Sequence, residues 1–126
     1  MSPHRIKVGK NVFINRNVTL DGRKGIVIAD NVDIGEYSSV WTWQHDIDNE
    51  EHHSKGGCTT INDHVWIAPH SIILPGLNLG RGCVIGTASV VTKDVPESVL
   101  VAGIPAKIVR KRNNSLTYNI KYKIFL

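Results

Sequence analysis

The sequence predicts an all-β fold, a parallel coil of very short strands stacked into a solenoid, and three observations carry that expectation. Aliphatic residues recur at every sixth position over most of the chain, a second apolar or small residue stands two places before each, and a turn former often follows directly. A helix would need apolar spacing of three and four, and an ordinary two-sided strand would not be broken by a turn residue every six positions. One six-residue unit cannot bury its own apolar face, whereas stacked units bury a continuous column.

The first run sets Val8, Ile14 and Leu20 on this clock, with Ile6, Val12 and Val18 two positions ahead and Gly9, Asn15 and Asp21 just behind. The clock slips by two at Gly22 to Lys24 and resumes at Ile28, Ile34 and Val40, led by Ile26, Val32 and Ser38. A slip of three separates Val40 from Ile61. Within it residues 44–59 lose all periodicity, and this polar stretch is expected as a loop thrown out of the coil, the kind of place where function concentrates on a rigid scaffold. The longest run is Ile61, Ile67, Ile73, Leu79, Ile85 and Val91, with Val65, Ser71, Leu77, Cys83 and Ser89 as inward companions. Branched Val and Ile suit a pleated wall, and the small residues let corners close. Past residue 94 the pattern dissolves through Val95-Pro96-Glu97 into Gly103-Ile104-Pro105-Ala106-Lys107, leaving a short C-terminal segment for which a helix across the final rung is one option. The expected organisation is one domain over residues 1–112, with the loop at 44–59, and a basic tail over 113–126 whose last ten residues read equally well as solvated.

Composition bounds the function. The chain of 126 residues, 41% hydrophobic and 21% charged, is one domain's worth of globular protein. No window approaches the roughly 18 apolar residues of a membrane helix, and Met-Ser-Pro-His-Arg-Ile-Lys lacks the apolar stretch of a secretory signal, so a cytoplasmic protein without a membrane span is expected. Cys58 and Cys83 lack CxxC spacing and are expected as free thiols. Residues 98–126 carry six lysines and arginines and no acidic residue, so the net +4 is a C-terminal feature. With aromatics at 6% and no nucleic-acid signature, a small phosphorylated ligand accounts for the basic end better than a nucleic-acid track does.

Beyond the hexads stand His45-Asp46-Ile47-Asp48, Val65-Trp66-Ile67-Ala68, Leu74-Pro75-Gly76, the run from Gly86 through Thr92-Lys93-Asp94-Val95-Pro96, and Ala102-Gly103-Ile104-Pro105-Ala106-Lys107. In this order they resemble the left-handed β-helix hexapeptide-repeat acyltransferases, most closely the maltose and galactoside O-acetyltransferase group and its exopolysaccharide relatives, over about residues 6–112. The resemblance implies the left hand of the coil, which the crossover rule alone would not favour. It further implies acetyl-CoA as acyl donor, a sugar or sugar-like hydroxyl as acceptor in polysaccharide biosynthesis, and a homotrimer with active sites between subunits. An N-acetyltransferase on an amino-sugar nucleotide and a non-catalytic hexapeptide scaffold subunit are the alternatives. The γ-type carbonic anhydrases share the fold and hold zinc with three histidines, but His45, His64 and His70 do not reproduce their spacing, so no metal is expected.

Moving an acetyl group from a thioester to a hydroxyl needs a base for the hydroxyl proton and a donor for the oxyanion. Histidine suits the first task, and His45 holds the family's histidine position at the start of the loop, which implies general base in a direct transfer. His52 and His53 lie deeper in the loop and are expected solvated, while His64 and His70 are expected at corners. Asn15 falls thirty residues before His45, where the family places an asparagine near the acceptor hydroxyl; an Asn at a hexad turn also tolerates left-handed backbone. Asp21 and Arg23 occupy positions of an acidic acceptor-contacting pair in relatives, and only Asp21 keeps the charge. Trp41 and Trp43 approach the loop, either to stack on a sugar ring, the role assigned to Trp43, or to pack its rim. For the donor, the resemblance implies Trp66 and Thr87 along the pantetheine groove, then Thr92 and Lys93, with Lys107 and Arg110 meeting phosphates. Lys111 and Arg112 are expected only to add field. This chain has Pro69 where relatives carry a small hydroxyl residue, and its coil begins within the first ten residues, where the maltose and galactoside enzymes have a helical segment. A different or smaller acceptor pocket is therefore expected.

Overall fold

The computed structural model describes residues 1–121 as a triangular coil of parallel strands. The first rung consists of β1 (Ile6–Val8), β2 (Phe13–Ile14) and β3 (Thr19–Leu20), and the second of β4 (Ile26–Ile28), β5 (Asp33–Ile34) and β6 (Ser39–Val40). The chain then leaves the coil as β7 (Trp43–His45) and β8 (Ser54–Gly56). It returns for a third rung, β9 (Thr59–Ile61), β10 (Trp66–Ile67) and β11 (Ile72–Ile73), and a fourth, β12 (Asn78–Leu79), β13 (Val84–Ile85) and β14 (Val90–Val91). Last come β15 (Val99–Gly103) and β16 (Ala106–Lys111). Stacking aligns these as three walls: β1-β4-β9-β12 (wall one), β2-β5-β10-β13-β15-β16 (wall two) and β3-β6-β11-β14 (wall three).

The six-residue period appears directly as register. Trp66 pairs with Val84 and Ile72 with Val90, each three hexads on, while Ile6 meets Ile26 because Gly22 to Lys24 take up the two-residue slip at a corner. Clock residues Ile28, Ile34, Val40, Ile61, Ile67, Ile73, Leu79, Ile85 and Val91 form an almost inaccessible column, and burying each side chain contributes about 1.5–3 kcal/mol. The first rung departs from this. Val8 and Ile14 keep the period but remain 51% and 38% exposed, because among the described residues no rung stacks outside them. The small inward residues Ser38, Ser71 and Ser89 are buried, and two of them also bond: Ser71 Oγ donates to the Ala68 carbonyl at 2.8 Å and Ser38 Oγ to the same carbonyl at 3.1 Å, satisfying one acceptor buried at a corner.

The corners repeat a left-handed residue. Asn11, Asn31 and His64 (φ 56°, 57° and 60°) turn wall one into wall two, and Asn17, Tyr37, His70 and Ala88 turn wall two into wall three. His64 and His70 are thus corner residues, as expected. Asn15 is not among the left-handed residues; that conformation falls at Asn17.

The C-terminal end is not helical. β15 adds to wall two beside β13, and the chain reverses at Gly103, where φ is +106°, so that β16 pairs antiparallel with β15. The branched residues Val99, Val101, Ile108 and Val109 favour strand, and the open edge of β15 offers unpaired backbone groups that a helix would leave unused. Nor is the start of the tail free in solvent. Beyond Lys111 it runs back along the corner between walls one and two. Leu116 is buried over Gly82, His64 Nε2 donates to the Tyr118 carbonyl at 2.8 Å, and the Ile120 amide donates to Asn31 Oδ1 at 3.0 Å. The remainder of the expected tail, with Lys123, lies outside the described residues. Among the described residues, no helix is long and apolar enough to cross a membrane.

Candidate active site

The stretch expected as an irregular loop is a β-hairpin. β7 and β8 pair antiparallel with Trp43 opposite Gly56, Gln44 opposite Lys55 and His45 opposite Ser54. Gly56 is required there, since a Cβ would lie 2.2 Å from the Thr42 carbonyl oxygen. At the tip, Asn49 Oδ1 accepts the Glu51 amide and Asp46 Oδ1 the Asp48 amide, so local side-chain acceptors close the turn without any core beneath it.

His45 projects from the end of β7 into solvent, with Nδ1 3.1 Å from the His52 carbonyl oxygen. A carbonyl can only accept, so Nδ1 carries the hydrogen and Nε2 presents its lone pair outward. The His52 ring stacks on His45 at 3.8 Å between centroids, and His53 pairs with Glu51 at 3.0 Å. His52 and His53 are exposed, as expected, yet His52 holds the His45 ring through its carbonyl and its imidazole, a relationship set by hairpin register that spacing in the sequence does not carry.

Asp21 lies at the root of this hairpin, but its carboxylate is enclosed. Arg23 grips it with Nε at 2.7 Å from Oδ1 and an Nη at 2.9 Å from Oδ2, and the Thr42 amide donates to Oδ2 at 3.2 Å. These bonds, the Arg23 side chain first, hold the carboxyl down at about 2 despite burial. Arg23 and Lys24 in turn sit over the half-exposed Trp43 ring, at 5.2 and 4.8 Å from its centroid. Trp41 packs the rim, its Nε1 donating to Ser39 Oγ at 3.0 Å.

Asn15 stands elsewhere, at the corner between walls two and three on the first rung. Its Nδ2 donates to Asp33 Oδ1 at 3.1 Å and to the Ile34 carbonyl at 2.7 Å, which engages both amide hydrogens. Asn62 repeats this on wall one, bonding Asn78 Oδ1 and the Leu79 carbonyl. An Asn at this turn position therefore ties its rung to the next, and in Asn15 only Oδ1 remains for a ligand. Burial raises the Asp33 carboxyl, an effect the Asn15 bond partly opposes.

The donor candidates divide into separate groups. The outward side of wall two carries a ladder in register, Phe13, Asp33, Trp66, Val84, Leu100 and Arg110. Trp66, Val84, Leu100 and Arg110 line a cleft there together with Arg112. Lys93 and Lys107 line a different cleft at the C-terminal end of the coil, with Val91, Val95 and Ile108. Thr87 is exposed near the corner between walls two and three, and Thr92 is exposed where wall three ends. Arg112 does more than add field: its guanidinium donates to the His64 carbonyl at 2.9 Å and the Tyr118 hydroxyl at 3.0 Å, locking strap to corner beside the Trp66 cleft.

Cys83 is buried in the core, which pushes its thiol up to about 12 and leaves it no thiolate to attack with. His45, His64 and His70 occupy three different corners, and among the described residues no three His, Cys, Asp or Glu side chains converge.

No family model matches the chain. Galactoside O-acetyltransferase of Escherichia coli is 35% identical over 114 residues, covering 86% of this chain and 55% of that protein. The solved structure of a galactoside acetyltransferase in complex with coenzyme A matches with a TM-score of 0.83 at 30% identity, over 94% of this chain and 64% of that one. The hexapeptide-repeat-containing acetyltransferase of Vibrio cholerae complexed with acetyl coenzyme A matches with a TM-score of 0.82 at 34% identity, over 87% and 62%. The chain thus spans less than two thirds of the length of each of these three relatives. The three-walled coil of parallel hexads matches these structures, so the chain has the left-handed β-helix fold of the hexapeptide-repeat acetyltransferases and is similar to them in sequence over most of its length.

Proposed function

We propose that this chain is the core of an acetyl-CoA-dependent O-acetyltransferase acting on a sugar or sugar-like hydroxyl, with His45 as general base. The observation that carries the reading is the His45 geometry, an exposed imidazole whose tautomer is fixed by a backbone carbonyl so that Nε2 is free to take a proton. As the acceptor oxygen attacks the thioester carbonyl, Nε2 removes its proton; collapse of the tetrahedral intermediate expels the CoA thiolate, which the imidazolium reprotonates. Trp66 and Arg110, on the outward side of wall two, are the donor-side residues of this reading, Arg110 toward phosphate. Lys93 and Lys107 join them from the end of the coil.

The reading requires more than one chain. His45 springs from the corner between walls three and one, and in a triangular coil that corner is opposite wall two, where the Trp66 cleft lies. A homotrimer with axes parallel would bring the hairpin of one subunit to the donor cleft of its neighbour, and it would let Asn15 of one chain approach His45 of another.

The test is acetyl transfer from acetyl-CoA by the purified protein, measured as released thiol against a panel of sugars and amino sugars. His45→Ala is expected to lower kcat by roughly 10²- to 10⁴-fold with CoA affinity nearly unchanged. A variant retaining half the activity removes His45 from the reaction. Light scattering together with mixing of His45→Ala and Arg110→Gln chains tests sharing, since mixed trimers recover activity only when base and donor cleft come from different subunits.

A further inference from the structure

We propose that the acceptor received at His45 is an anionic carbohydrate, whose carboxylate or phosphate is taken by Lys24 and Arg5 beside Trp43 while the hydroxyl to be acetylated lies against His45. The proposal rests on the transferase reading above and deepens it by naming the charge of the substrate. Trp43 and His45 are two residues apart on β7 and so share one face of the hairpin, about 7 Å apart along the strand, which is the span of one sugar ring with its substituents. A neutral sugar would be expected to stack on the Trp43 ring, but Arg23 and Lys24 already sit over it.

The charges around that ring do not balance. Arg23 is neutralised by Asp21, whose carboxylate is buried and fully engaged. Lys24 is exposed and has no carboxylate within ion-pair reach among the described residues, and its amide is pinned to Thr42 Oγ1 at 2.9 Å, which fixes its backbone at the hairpin root. Arg5 reaches the same place, one guanidinium nitrogen donating to the Arg23 carbonyl at 2.8 Å and the rest of the fork left for a ligand. Three cations therefore surround one saturated carboxylate. A cation over an aromatic ring is only weakly satisfied compared with one that meets a carboxylate or phosphate. The acidic residues of the hairpin, Asp46, Asp48, Glu50 and Glu51, follow His45 toward the tip, and of these Asp46 pairs with Lys55 and Glu51 with His53. Acidic tip and basic root place His45 between opposite fields, which would turn an incoming anionic sugar with its charged group toward Lys24 and its hydroxyls toward the imidazole.

The test measures binding and turnover separately on the intact protein. Isothermal titration with methyl glucoside, glucuronate and glucose 6-phosphate is expected to give at least about tenfold tighter binding of one or both anionic sugars than of the neutral one. Arg5→Gln/Lys24→Gln should bring that ratio close to one, while Lys10→Gln, at a distant corner, leaves it in place. The kcat/KM ratio between the same acceptors with acetyl-CoA should follow the binding ratio and shrink at high salt. Equal binding of neutral and charged sugars overturns the proposal, as does a double variant that weakens CoA in place of the acceptor, which would assign the cations to the donor. Lys24-dependent binding of an anionic sugar without acetyl transfer would retain the anion site and overturn the transferase reading instead.

Discussion

His45 Nδ1 lies 3.1 Å from the carbonyl oxygen of His52, and the two imidazoles stack with centroids 3.8 Å apart. His52 is in the left-handed region at φ +57°, a conformation that aims its carbonyl back across the hairpin. His52→Gly is expected to preserve this backbone and keep kcat within about tenfold of wild type, losing only the stack. His52→Val places a branched residue where it is strained by of order 1–3 kcal/mol and should lower kcat further by displacing the carbonyl. Steady-state kinetics of the two variants distinguish a carbonyl that orients the base from a loop that merely surrounds it, because in the second case both substitutions act alike.

The Asp21–Arg23 pair should appear as a pH-dependent part of stability. The Asp21 carboxyl is held at about 2 against an ordinary 3.8, so its contribution is complete above about pH 4 and is lost as pH falls from there toward 2. Asp33 has the opposite sign, since burial raises its carboxyl and favours the protonated form in acid. Asp21→Asn is expected to cost about 1–3 kcal/mol at pH 7, by leaving Arg23 and the Thr42 amide poorly paired, and much less near pH 2.5. Urea titrations at the two pH values check this, and a pH-independent difference would mean that the carboxylate charge is irrelevant.

The two basic residues proposed to meet CoA phosphates lie in different clefts, Arg110 with Trp66 and Lys107 with Lys93. Arg110→Gln and Lys107→Gln should therefore have distinct ligand profiles. One is expected to weaken CoA by about tenfold more than dephospho-CoA, and the other to weaken both alike. Calorimetry with the two ligands reads the difference; identical profiles would place both side chains on one phosphate.

The strap over 112–121 is predicted to stabilise the coil. Leu116 is 5% exposed, and its truncation to Ala should cost about 2 kcal/mol, the low end for a buried leucine because the site is at the surface of the coil. A fall in Tm with Leu116→Ala, together with loss of amide protection at His64 and Gly82, would follow if the strap seals that corner. Unchanged protection would make the strap an ornament of the last rung.

The column of clock residues, the slips at 22–24 and after Val40, and the corner histidines were legible in the sequence because each is a local consequence of period and turn chemistry. The motifs likewise placed His45 at the start of the excursion. What spacing did not disclose depends on register and closure. The hairpin bonds His45 to a residue seven positions on, Arg112 reaches His64 across the coil, and Asp21 turns its carboxylate inward to Thr42 and not outward to a ligand. Asn15 shows the same limit, since the amide read as a ligand contact has both hydrogens committed to the next rung. The C-terminal segment became strand because β15 offered it an open edge, a condition that exists only after the rungs have stacked. Period alone decided which residues face the core; which polar atoms remain free for chemistry was decided by tertiary structure, because a donor or acceptor is available only when no neighbour brought close by folding has already used it.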